Sequence, residues 1–105
     1  MDGARGRERA SVETPIGRLA LLCEDHVNGA LVVVELKRGL PSDRVVGQTT
    51  RYMGWVAEHL ANGREVDGII VAHEVNDQLR YAVRPIPRLS LLVYEISFAL
   101  RPPLT

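Results

Sequence analysis

Ala30-Leu31-Val32-Val33-Val34-Glu35-Leu36-Lys37 decides how this chain folds. A run that apolar and β-branched reads as a buried strand. Side chains alternate faces along a strand, so Glu35 and Lys37 emerge on one face and Leu36 on the other. A carboxylate and an ammonium two residues apart at the end of a core strand are costly unless paired or used. Phosphodiester hydrolysis is one chemistry that uses them: the carboxylate holds a divalent metal, and the lysine orients or activates water.

The elements on either side extend the pattern. Leu19–Glu24 reads as a strand, and Asp25-His26-Val27-Asn28-Gly29 as a turn with an Asn-Gly signal. The two strands should form an antiparallel hairpin. After Lys37, Arg38-Gly39-Leu40-Pro41-Ser42-Asp43 breaks the strand, and Ser42 or Asp43 can cap a helix running to about Asn62. Val45, Val46, Thr49, Tyr52, Met53, Val56 and Leu60 form its apolar stripe, and Asn62-Gly63 supplies the stop. Val66–Ala72 is then a short buried strand. Strand, helix, strand implies a right-handed crossover and parallel pairing. Asn76–Leu79 reads as a turn or short helical stretch, and Arg80–Pro85 as irregular or a short strand. Leu89–Leu100 reads as a last strand on its loose alternation. The predicted class is α/β, a mixed sheet with one principal crossover helix.

The chain has 105 residues, 46% of them hydrophobic, which suits a single domain over 12–105. Residues 1–11 are polar and arginine-rich and read as a disordered basic tail. Thirteen basic and thirteen acidic side chains cancel, so bulk charge does not decide for or against nucleic acid. Lys37 is the only lysine among those thirteen cations; the others are arginines, which suit bidentate phosphate contacts. Cys23 is the only cysteine, which excludes a disulfide framework within the chain and points to an intracellular, cytoplasmic protein. No long apolar segment or signal-peptide pattern suggests a membrane. His26 and His73-Glu74 lack companions at metal-ligand spacing and read as solvent-facing or satisfied. Trp55 reads as core packing or a dimer contact.

Four features coincide: the hairpin, Glu35-Leu36-Lys37 on its second strand, a helix bearing Gln48-Thr49-Thr50-Arg51-Tyr52, and a buried strand after it. Gln48 and Tyr52 stand four apart on one helical face. The arrangement resembles the PD-(D/E)XK nuclease superfamily, in its RecB-like and NucS-like branch, with a restriction-endonuclease-like core. Thr14-Pro15-Ile16-Gly17-Arg18-Leu19-Ala20-Leu21-Leu22-Cys23 also resembles that branch's T-P-x-G-x-I-D-L-L-C strand. The resemblance spans roughly Glu13 to Ala72. It implies a Mg²⁺- or Mn²⁺-dependent DNA endonuclease in which Glu35 is the metal-binding carboxylate. Lys37 orients the attacking water and stabilises charge on the phosphate, and the Leu36 backbone carbonyl faces the metal. Gln48 and Tyr52 shape the site and contact DNA, and Glu13 matches an upstream acidic residue. Arg38, Arg44 and Arg51 flank this site and can clamp phosphates.

One position departs. The family's first-strand aspartate, the other principal metal ligand, falls where this chain has Ala20. Glu24 and Asp25 lie four or five residues further on, more than about 13 Å away along an extended strand, too far to substitute. Ala20 is then either an engineered substitution that traps an inactive enzyme or a mark of a natural inactive copy; the otherwise intact motif favours the first. The absence of a helix before the first strand points to a homodimer. Two other readings stand beside the endonuclease: a catalytically silent nucleic-acid-binding module of the same fold, and a structural or protein-interaction domain with no affinity for DNA.

Overall fold

A computed structural model describes residues 12–14, 17–19 and 21–104, with side chains from residue 21 onward. The predicted basic tail at 1–11 lies outside the described residues.

The four-stranded mixed sheet is built around the apolar run. β3 (Leu21–Glu24) and β4 (Leu31–Lys37) pair antiparallel, from Leu21 opposite Val34 to Glu24 opposite Leu31. The turn between them closes on itself: Asp25 Oδ1 accepts from Val27 N, Asn28 Oδ1 accepts from Ala30 N, and Gly29 takes φ 76°. That left-handed backbone is where glycine costs least. β5 (Val66–Ala72) pairs parallel to β4, and β6 (Leu89–Val93) parallel to β5, giving the order β3-β4-β5-β6. A separate two-stranded antiparallel sheet joins β1 (Val12–Thr14) to β2 (Gly17–Leu19).

α1 (Arg44–His59) makes the crossover from β4 to β5, and α2 (Asp77–Val83) the one from β5 to β6. Both pack on the same face of the sheet. Tyr52 and Val56 of α1 meet Leu22, Leu31, Val33 and Val66, while Val45 and Val46 join Ile70, Leu79, Val83 and Leu89. α1 packs closely on β5 at Gly68, where an added Cβ would stand 2.5 Å from the Met53 thioether sulfur and 2.9 Å from Leu89 Cδ1. The opposite face carries Val32, Val34, Ile69 and Val71 half-buried, and Leu36 and Leu92 exposed.

The structure corrects the sequence reading in five places. Leu19 belongs to β2, opposite Val12, and the hairpin strand starts at Leu21. The main helix ends at His59 rather than about Asn62. The amides of Leu60 and Ala61 both turn back to the Val56 carbonyl, and Asn62 and Gly63, at φ 53° and 88°, redirect the chain into β5. Asp43 occupies the N-cap without a side-chain cap bond, and Ser42 Oγ instead accepts from Arg44 N. Arg80–Pro85 is mostly helix. Asn76 Oδ1 caps the Leu79 amide, and Leu79 and Val83, four apart, dock on the core, so a second crossover helix joins α1. The last strand stops at Val93. Its neighbour β5 ends at Ala72, whose carbonyl accepts from Tyr94 N, and among the described residues no strand lies beyond for 95–100 to pair with.

Candidate active site

Period two along β4 puts Leu31, Val33, Glu35 and Lys37 on the helix-covered face. The first two are core. Glu35 continues their row, so it is only 5% exposed. Across the ladder to β5 it stands opposite Ile70, which is fully buried. Lys37 emerges at the sheet's carboxyl end, opposite Ala72, and its Nζ lies 3.3 Å from Glu35 Oε2. The second carboxylate oxygen, Oε1, is buried and has no hydrogen-bond partner.

That oxygen is the informative atom. A buried carboxylate oxygen normally has a donor, because leaving it bare costs the desolvation of a charged group. An ionised carboxylate is a hard oxygen donor of the kind Mg²⁺ and Mn²⁺ prefer. Glu35 therefore offers one oxygen to the lysine and holds the other available for a cation or a water.

α1 supplies the wall over this pair. Tyr52 is 5% exposed and packed in the core with Leu22, Val33 and Val56, and Gln48 is half-buried one turn earlier. Thr49, fully buried between them, donates its hydroxyl to the Val45 carbonyl at 2.7 Å. Arg44, Gln48 and Arg51 follow at four and three residues and form a polar ridge beside the buried stripe. Arg44 and Arg51 are exposed, as is Arg38 just after β4, and none of the three pairs with a carboxylate among the described residues. Glu13 lies in β1 with its backbone opposite Arg18; its side chain, and Ala20 entirely, fall outside the described residues.

Two acids further along the hairpin are engaged elsewhere. Glu24 Oε2 pairs with Arg64 at 3.2 Å, and Asp25 closes the hairpin turn. No group of three or more His, Cys, Asp or Glu side chains is placed to hold a metal among the described residues. His26 and His73 are exposed, and His73 stacks at 5.2 Å on Tyr94. Trp55 is partly buried against the core and stacks at 4.7 Å on His59. What the sequence did not disclose is how deep Glu35 lies, since Ile70 becomes its neighbour only through the β4–β5 register.

No helix of the described residues is long and apolar enough to cross a membrane. No curated protein sequence matches the chain. Solved structures do. A repair endonuclease from Pyrococcus abyssi is 28% identical with a TM-score of 0.66, over 81% of this chain and 38% of that one. An EndoMS–dsDNA complex is 26% identical with a TM-score of 0.66, over 82% of this chain and 34% of that one. EndoMS in its apo form, 22% identical with a TM-score of 0.69, shares the fold over 90% of this chain and 40% of that one. The chain thus spans well under half the length of these solved relatives. The family described as the endonuclease NucS C-terminal domain matches residues 6–84, and the chain belongs to it.

Proposed function

We propose that this domain is the catalytic part of a metal-dependent DNA endonuclease of PD-(D/E)XK type, with its metal site weakened by Ala20. The observation that carries this is Glu35: a buried carboxylate tied to Lys37 by one oxygen and left without a partner at the other. The similarity to a repair endonuclease and to EndoMS bound to double-stranded DNA supports DNA as the substrate.

The residues present fit a hard divalent cation. Glu35 Oε1 and the Leu36 carbonyl would hold Mg²⁺ or Mn²⁺, with Glu13 as an outlying candidate. When bound, such an ion supplies Lewis-acid polarisation of the scissile phosphate. Lys37 orients the attacking water and offsets negative charge as it builds on the phosphate. Gln48 and Tyr52 shape the wall of the site, and Gln48 faces the DNA along the ridge of Arg44 and Arg51. These two arginines and Arg38 bind backbone phosphates, which makes affinity fall with salt. The parts for two-strand cleavage come from a homodimer, one site per strand.

Ala20 explains the weakening. The family's first-strand aspartate, the other principal metal ligand, falls where this chain has Ala20, so the full donor set would be two carboxylates sharing one ion. Alanine there removes half of that donor set. The same fact favours a second reading, a silent DNA-binding module of this fold.

The test is cleavage of labelled single- and double-stranded DNA with Mg²⁺ or Mn²⁺, comparing this chain with Ala20→Asp. Activity confined to the aspartate form, and lost again on adding Lys37→Ala, supports the nuclease. Salt-dependent DNA binding with no cleavage by either form supports the silent module. No salt-dependent binding overturns both and leaves a protein-interaction domain.

A further inference from the structure

Beyond β6 the chain keeps the alternation of a strand without having a paired neighbour among the described residues. Tyr94, Ile96, Phe98 and Leu100 fall on one side, Glu95, Ser97, Ala99 and Arg101 on the other. Ile96, Phe98 and Leu100 are 71%, 84% and 91% exposed. Three large apolar side chains at strand spacing, all in water, are the mark of a surface that associates. The segment lies outside residues 6–84, so the family match does not account for it.

Both limits of this segment are defined. At its start, Tyr94 N still bonds to the Ala72 carbonyl of β5. At its end, Pro102-Pro103 cannot donate to a ladder. Between them stand seven residues, Glu95-Ile96-Ser97-Phe98-Ala99-Leu100-Arg101, and their order is self-complementary. Antiparallel pairing of two copies about Phe98 sets Glu95 against the other copy's arginine, Ile96 against leucine, Ser97 against alanine, and phenylalanine on phenylalanine. Opposite charges meet at both ends, and the large apolar side chains meet one another on the same face. A two-fold interface requires such a self-complementary patch. The apolar side also continues the exposed Leu92, which with Val71 and Leu36 forms one row on the uncovered sheet face. Each copy therefore brings a strip of sheet as well as a strand.

We propose that Glu95–Arg101 is a dimerisation strand that pairs antiparallel with the same segment of a second copy, centred on Phe98. This names a surface for the dimer of the proposed endonuclease, yet its test needs neither DNA nor metal, so either idea can fail without the other.

The experiment is sedimentation equilibrium of the whole chain from micromolar to millimolar concentration, with circular dichroism as the control for folding. The intact chain is expected to pass from monomer to dimer. Phe98→Glu, which places two carboxylates on the axis, is expected to weaken the dimer at least about tenfold. Glu95→Arg and Arg101→Glu each set like charges together at both ends and should also weaken it about tenfold; the double exchange should restore it to within about twofold. Amide hydrogen exchange should show 95–101 protected at high concentration and open at low. A chain that stays monomeric throughout overturns the proposal. So does a dimer indifferent to Phe98→Glu, or a double exchange that fails to rescue the single reversals.

Discussion

Two sets of ion-paired side chains stand near opposite ends of the parallel strands, and they solve the same problem differently. At the carboxyl end, Lys37 meets Glu35 at 3.3 Å and leaves a buried oxygen bare. At the other end, Arg88 meets Asp67 at 2.7 Å and Glu65 at 3.6 Å, so one cation serves two acids in partial contact with water. The second arrangement is structural. It fastens the turn before β6, where Arg88 takes φ 65° and its carbonyl accepts from Gly68 N. The first is incomplete by the ordinary rule for buried polar atoms, and incompleteness at a strand end beside exposed arginines is what a ligand site looks like. Ion-pair geometry separates a fastening from a site better than distance does, since here the tighter pair is the fastening.

The largest effect should be on chemistry. In the Ala20→Asp background, Lys37→Ala is expected to lower DNA cleavage by at least about a hundredfold, the usual loss of one group that stabilises transition-state charge. Arg88→Ala in the same assay should stay within about twofold. Equal losses from the two would erase the distinction drawn above. Next in size, Ile70→Ala should cost about 3 kcal/mol in urea unfolding, because it hollows the core opposite Glu35. Lys37→Met should cost about 2 kcal/mol by leaving Glu35 a buried carboxylate without a cation, at the low side of such losses because the lysine is one-third exposed. Glu35→Leu runs the other way: an apolar side chain in that row should raise stability by about 1 kcal/mol while removing the proposed metal donor. Thermal melts of the two variants should move in opposite directions, and a stabilising Lys37→Met would refute the account. Smallest of all, Arg88→Ala should cost below about 1 kcal/mol, as exposed pairs do, and the difference from wild type should shrink further in salt.

Much of this architecture could be read from residues 30–72. The run Ala30–Val34 could only be a core strand, and a helix between two such strands forces parallel pairing. Glu35 and Lys37 share a face by period two, which needs no structure. The failures have physical causes. Arg80–Pro85 reads as irregular or a short strand, whereas Pro85 follows a helix held by the Asn76 cap and the four-residue spacing of Leu79 and Val83. Residues 94–100 have the alternation of a strand, but a strand also needs a neighbour, and β5 ends first. The depth of Glu35 and its bare oxygen depend on register with Ile70, 35 positions further along the chain, which local pattern does not encode.

The close approach at Gly68 carries a liability of another sort. The gap between α1 and β5 there is filled by the Met53 thioether, with no room for even one more carbon. Oxidation to the sulfoxide would force a polar oxygen into that apolar seam. Peroxide exposure during purification or storage should therefore loosen the crossover helix over the sheet without touching Glu35 or Lys37, and methionine sulfoxide reductase should reverse the damage.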